Sequence, residues 1–207
     1  MMKSTMNSGF FSKFRLIIFD LDDTLYEEKI YLFEVYSRIA IYLSKNYSFL
    51  NYEEIYLFLT ETFNETGREN LLNNLLTKFN IIENIDVLLT IMRTVNLKSK
   101  MPLKIKSETL LQSAINSGVK ICVLTNGNPI QQKNKVKQID WLGNESRIDF
   151  IYANEVKPKP FIDVFELKIK NKYKIDSASE VLMIGDSLID QQFAINIKCP
   201  FIFIQNL

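Results

Sequence analysis

Asp20 and Asp22 stand two residues apart, with Asp23 and Thr24 beside them, directly after the apolar run Leu16-Ile17-Ile18-Phe19. Carboxylates crowded in this way repel one another unless a cation sits among them. Three further polar clusters follow short apolar runs in the same manner. Thr125-Asn126-Gly127 follows Ile121-Cys122-Val123-Leu124, and Lys157-Pro158-Lys159-Pro160 comes shortly after Phe150-Ile151-Tyr152. Gly185-Asp186-Ser187-Leu188-Ile189-Asp190 follows Val181-Leu182-Met183-Ile184. Brought together, these clusters would set carboxylates, a hydroxyl and an ammonium around one cation. Taken singly, each has a plainer reading. Asp186 and Ser187 cap a helix as readily as they hold a ligand, Thr125-Asn126-Gly127 is an ordinary turn, and Lys157 before a proline is a solvated loop lysine. It is the acidic group at 20–23 and the recurrence in order that make coincidence improbable.

Composition narrows the chemistry further. The 207 residues contain no His, which removes Ser-His-Asp and Cys-His catalysis, His-ligated zinc and any imidazole base. An enzyme with this sequence works through carboxylates, Lys, hydroxyls or backbone groups. A balance of 25 Lys+Arg against 24 Asp+Glu argues against a broadly basic nucleic-acid surface. Cys122 and Cys199 form no C-x-x-C pair and read as buried free thiols in a reducing cytosol. Residues 1–14 lack the apolar stretch of a signal peptide, and the first dozen read as a frayed arm. No window approaches about 18 uncharged apolar residues, so no membrane span and a cytoplasmic location are expected.

The elements that must position these residues follow from the same runs. Continuous apolar segments at 16–19, 121–124, 150–152, 181–184 and 201–204 read as strands buried on both faces. Helical patterns at 106–117, 128–139, 161–173 and 188–197 alternate with them, the first stopping at Gly118. Strand and helix in this rhythm give an α/β fold, a Rossmann-like parallel sheet with helices on both faces. In such a sheet ligands bind beyond the carboxyl ends of the strands, where the polar clusters fall. The rhythm is interrupted after the first strand by helical stretches near 30–45, 52–65, 69–79 and 84–95, punctuated by Gly67 and an Asn-rich segment. Leu32, Tyr36, Ile39 and Leu43 make one buried stripe. This is an inserted all-helical lid: core 14–26 and 101–207, lid 27–100.

With the four clusters in order and in register, the chain from about 15 to 205 resembles the haloacid dehalogenase-like superfamily. Phe19-Asp20-Leu21-Asp22-Asp23-Thr24-Leu25 looks like its first motif, Leu124-Thr125-Asn126-Gly127 its second, Lys157-Pro158-Lys159-Pro160 its third, and the 185–190 segment the G-D-x-x-x-D form of its fourth. The helical insertion resembles the family's C1 cap type. The resemblance implies Asp20 as nucleophile forming an aspartyl-phosphate, and Asp22 as general acid and then general base. It implies a magnesium ion held by Asp20, Asp186 and the Asp22 backbone carbonyl, with Asp190 supporting the site from behind or through water. It further implies that Thr125 and the Asn126 N–H bind phosphoryl oxygens and that Lys157 neutralises charge. An Asp two residues after the nucleophile marks phosphoryl transfer within the family, rather than carbon–halogen cleavage. The implied activity is a magnesium-dependent phosphatase acting on a small phosphorylated metabolite, a sugar phosphate or nucleoside monophosphate, without nucleic-acid or membrane partners.

The lid is less informative. Seven of the nine tyrosines fall between Tyr26 and Tyr56 and either stack on substrate or pack the lid helices. Glu27 and Glu28 in the hinge either meet substrate hydroxyls or are solvated helix-start acids. Arg68, after Gly67, either contacts a second substrate anion or is a surface arginine. One rival activity is a phosphomutase of the same superfamily. A phospho-receiver domain lacks such an insertion, an inactive scaffold would have lost one of the motif residues, and a nicotinamide-binding fold would need a G-x-G-x-x-G after the first strand.

Overall fold

The structure, a computed structural model, describes residues 8–207. Five parallel strands form one sheet: β1 (Leu16–Phe19), β2 (Lys120–Thr125), β3 (Ile148–Tyr152), β4 (Val181–Gly185) and β5 (Phe201–Phe203), in the order β3-β2-β1-β4-β5. Burial follows position in the sheet. Every residue of β1 and β4 is buried, whereas the edge strands β3 and β5 are mostly half-buried. This is why continuous apolar runs, without alternation, mark the central strands. Pairing of Phe19 with Val123 and with Ile184 puts the carboxyl ends of β1, β2 and β4 side by side.

The expected helices form as α6 (Ile105–Asn116), α7 (Pro129–Gln138) and α9 (Leu188–Ile197). Gly118, at φ +75°, follows α6 in the left-handed conformation that glycine adopts without penalty. The helix expected at 161–173 is instead largely π-helical, Phe165–Lys170, continuing as the short α8 (Asn171–Tyr173). The frayed arm expected at the N-terminus is corrected over its described part. Ser8–Phe11 forms a short helix, α1, that rests against α6 with Phe11 fully buried. Residues 1–7 of that expectation lie outside the described residues.

The chain divides into two compact units. Among the described residues, one contains the sheet and comprises residues 8–27, 100–132 and 139–207; the other is all-helical and comprises residues 28–99 and 133–138. The helical unit holds α2 (Glu28–Asn46), α3 (Tyr52–Thr66), α4 (Leu71–Lys78) and α5 (Ile85–Thr94). Its punctuation follows the sequence. Asn51 and Asn84 cap α3 and α5 by accepting from the N–H groups of Glu53 and Asp86, and Gly67 ends α3 at φ +78°. Leu32, Val35, Tyr36, Ile39 and Leu43 form the buried stripe of α2. Residues 133–138, the last part of α7, belong to this unit because their side chains hold its end. Asn134 donates to the Val95 carbonyl at 2.7 Å, and Gln138 accepts from the Leu97 N–H at 2.6 Å.

Glu28 differs from a solvated helix-start acid. It is buried at the first position of α2, and its Oε1 accepts from Lys135 Nζ at 2.7 Å and from Arg68 Nη1 at 2.6 Å. The tyrosines of α2 and α3 largely bond within the helical unit. Tyr31 donates to the Met92 carbonyl at 2.8 Å, Tyr42 to Glu83 at 3.0 Å, and Tyr52 stacks on Tyr56 with centroids 5.8 Å apart. Tyr26 belongs to the sheet unit and faces Asp22. Among the described residues, no helix is long and apolar enough to cross a membrane.

Candidate functional site

The site lies wholly within the sheet unit, at the carboxyl ends of β1, β2 and β4. Asp20 follows β1 with only 7% of its surface exposed, and its N–H donates to the Ile184 carbonyl at 2.9 Å, tying it to the end of β4. From β4, Gly185 leads into Asp186 and Ser187. Ser187 caps α9, its hydroxyl and N–H meeting Asp190 Oδ2 at 2.6 and 3.2 Å while the Asp190 N–H donates back to the Ser187 hydroxyl at 3.3 Å. The capping box turns Asp190 inward, where it is 1% exposed. One oxygen each of Asp20, Asp186 and Asp190 lie within 4.8 Å of one another.

The cation facing these acids is Lys159. Its Nζ lies 2.5 Å from Asp20 Oδ1, 2.6 Å from Asp190 Oδ1 and 3.1 Å from the Leu124 carbonyl, and the residue is 4% exposed. The structure thus sets Lys159, and not the expected Lys157, against Asp20. The Lys157 side chain is about half exposed, 3.8 Å from Asp163 and 4.0 Å over the Phe161 ring. Both lysines precede a proline, so the local sequence does not distinguish them. What selects Lys159 is Asn126, whose side chain clamps the backbone of residue 159, accepting from its N–H at 2.8 Å and donating to its carbonyl at 3.0 Å. The second motif thus holds the third in place, a job that sequence reading did not assign to Asn126.

The electrostatics follow from burial. Removal from water, with Asp190 and Asp22 adding to it, raises the Asp20 carboxyl to about 7 against the pull of Lys159. Burial and the Asp190 charge also raise Asp186, against the hydrogen bond donated by Thr24 at 3.0 Å. One buried lysine thus faces three clustered acids. A set of hard carboxylate oxygens with a surplus of negative charge suits a divalent cation of the magnesium or calcium type, so Asp20, Asp186 and Asp190 are residues that could hold one.

Asp22 is kept apart from this cluster. Tyr26 donates to its Oδ1 at 2.6 Å, and Gln132 Nε2 donates to its Oδ2 at 2.7 Å. Gln132 also reaches Thr125 Oγ1 at 2.7 Å and the Asn126 carbonyl at 2.6 Å. Thr125 itself is 2% exposed at the end of β2. Tyr26, Gln132, Thr24 and Lys159 are the residues that sequence reading left out of the site. Thr24 lies inside the acidic motif and Tyr26 directly after it, whereas Gln132 comes to Asp22 only through the path of α7. Arg68 lies in the helical unit with its guanidinium on Glu28.

Two carboxylates two residues apart thus sit in different environments, one buried against a lysine and two further acids, the other held by a phenol and an amide. The arrangement suits covalent attack by one carboxylate and proton transfer by the other. No curated protein sequence matches the chain. Among solved structures, a candidate β-phosphoglucomutase from Thermotoga maritima is 17% identical with a TM-score of 0.64, over 89% of this chain and 82% of that one. A HAD phosphatase from Thermococcus onnurineus is 19% identical with a TM-score of 0.59, over 91% and 85%. CbbY from Rhodobacter sphaeroides, solved with xylulose-1,5-bisphosphate, is 16% identical with a TM-score of 0.57, over 92% and 85%. At such identities the likeness establishes a shared fold. The family model of the haloacid dehalogenase-like hydrolases matches residues 17–204, from inside β1 to beyond β5 and across all four motifs, and the chain belongs to that family.

Proposed function

We propose that this hydrolase is a phosphatase that cleaves a small phosphate monoester through an aspartyl-phosphate on Asp20. What supports this is the contrast between Asp20, buried against Lys159, and Asp22, held separately by Tyr26 and Gln132. An Asp20 oxygen attacks phosphorus as the bond to the leaving oxygen breaks, and Asp22 gives that oxygen its proton. Water then attacks the phosphorus of the acyl phosphate, Asp22 takes a proton from the water, and phosphate leaves with Asp20 restored. Thr125 and the Asn126 N–H bind phosphoryl oxygens, and Lys159 takes the charge-neutralising part first assigned to Lys157. Asp20, Asp186 and the Asp22 backbone carbonyl, supported by Asp190, would hold a magnesium ion. The ion would supply positive charge to the transferring phosphoryl group.

The helical unit is the proposed cap, of the C1 type, and Arg68 its proposed contact with a second anionic group of the substrate. The substrate class, a sugar phosphate or nucleoside monophosphate, rests on the resemblance of the motifs and on neighbours that bind phosphorylated small molecules, such as CbbY with its bisphosphate. The test is a phosphate-release screen over sugar phosphates, nucleotides and small phosphoacids, with and without magnesium. Release that requires magnesium and is lost in Asp20→Asn supports the proposal. Isomerised sugar phosphate without free phosphate would replace it with a phosphomutase.

A further inference from the structure

We infer that Gln132 is a positioning residue for the proton transfers of Asp22. The inference rests on the phosphatase reading and adds to it a residue that none of the four motifs contains. Gln132 sits in the second turn of α7, its N–H bonded to the Asn128 carbonyl at 2.9 Å, while Asn128 caps the helix by accepting from the Ile130 and Gln131 N–H groups at 3.0 and 3.3 Å. The helix start thereby fixes where the side chain emerges. That side chain is 2% exposed, and its Nε2 is 2.7 Å from Asp22 Oδ2.

Two observations separate this contact from incidental packing. Gly127 leaves the space the amide occupies, because a Cβ there would lie 3.3 Å from Gln132 Nε2 and 3.4 Å from its Cδ. The glycine of the second motif, at φ +114°, therefore fits both the turn and the glutamine. In addition, Gln132 Oε1 is buried with no hydrogen-bond partner, an unusual state for a buried amide oxygen. The same amide thus sets its donor on Asp22 while its oxygen makes no competing hydrogen bond. With Tyr26 on Oδ1 and Gln132 on Oδ2, the plane of the Asp22 carboxyl is fixed. A proton donor displaced by about an ångström can lose about a hundredfold in rate.

A purely structural part for Gln132, joining α7 to Thr125 and Asn126, would slow all substrates alike. A part in aiming Asp22 makes the loss depend on the leaving group. 4-Nitrophenolate departs without a proton, whereas an alkoxide needs one. The experiment compares kcat/KM for 4-nitrophenyl phosphate and a simple alkyl phosphate in the unaltered protein, Gln132→Met, Gln132→Glu and Asp22→Asn. Gln132→Met removes the amide at nearly constant volume. Gln132→Glu keeps the shape but, while ionised, can donate neither to Asp22 nor to Thr125 Oγ1, so it stands in should the Met variant fail to fold. The expected result is a loss on the alkyl phosphate at least about tenfold larger than on 4-nitrophenyl phosphate, in the same direction as Asp22→Asn. Equal losses on both substrates, or none, overturn the role of Gln132 while leaving the phosphatase reading intact. Absence of turnover in the unaltered protein on either ester overturns that reading and the inference with it.

Discussion

Gly185 and Asp190 approach so closely that a Cβ on residue 185 would lie 2.6 Å from the Asp190 Cβ and 2.7 Å from its Cγ and Oδ2. The glycine that ends β4 is there because the carboxylate of α9 folds back over it. Asp190 can then reach Lys159 with one oxygen and Ser187 with the other.

Gly185→Ala should therefore act on the site as well as on the fold. Asp190 must move, and moving it breaks the capping box and the Lys159 contact together. We expect a loss of about 1–3 kcal/mol in stability from overpacking and a clear weakening of divalent-ion binding. Thermal unfolding and magnesium titration by calorimetry check both, and a variant with unchanged affinity for the ion would separate Asp190 from the metal site.

The two lysines of the Lys-Pro-Lys-Pro segment should behave oppositely. Lys157→Met removes an exposed side chain and should leave phosphate release near that of the unaltered protein. Lys159→Met leaves two buried acids without their cation, which costs about 3–5 kcal/mol, and should abolish release. Assaying both variants beside a denaturation curve distinguishes lost chemistry from lost fold. Inactivity of the Lys157 variant alone would reverse the assignment.

Both thiols should be inert in the native protein. Burial pushes Cys122 up to about 12, with Asp149 adding to the rise, and burial likewise pushes Cys199 up to about 12. At pH 8 a thiol reagent such as dithionitrobenzoate should find neither until denaturant is added, and then both. Rapid labelling of the folded chain would contradict the packing of β2 and of the turn into β5.

Asp149 gives a pH dependence with a defined sign. Partial burial pushes its carboxyl up, but the hydrogen bond from Tyr173 at 2.5 Å and the ion pair with Lys172 at 2.9 Å outweigh it and hold the group below its ordinary value. A depressed carboxyl stabilises the fold above its unfolded value of about 3.9, and that contribution fades as pH falls toward the lower folded value. Melting temperatures followed from pH 6 to pH 3 should fall less steeply for Asp149→Asn than for the unaltered protein. Because the carboxylate is 43% exposed, added salt should shrink the difference.

Sequence alone reached the sheet because its central strands are buried on both faces, so an apolar run such as Val181-Leu182-Met183-Ile184 has no other use. It reached Asp20, Asp186 and Asp190 because acids rarely gather without a reason. It could not tell Lys157 from Lys159, because what brings Lys159 to Asp20 is Asn126, more than thirty positions away in the chain, through two backbone hydrogen bonds. Glu28 looked like a solvated acid for the same reason, since its partners Arg68 and Lys135 are distant in sequence. Gln132 was hidden because a glutamine on a Gln/Lys-rich helix carries no signal until the helix is set against the loop at 20–26.

The division of α7 has a consequence for anyone who would exchange the helical unit for another. Gln132, on Asp22, and Lys135, on Glu28, are one helical turn apart on a single rod whose first part belongs to the sheet unit and whose last part belongs to the helical unit. A graft cut at residues 28 and 99 would carry away Glu28 and leave Lys135 behind, a buried ammonium without its carboxylate. A chimera of this protein needs a second cut within a continuous helix, so that six residues of α7 travel with the donor.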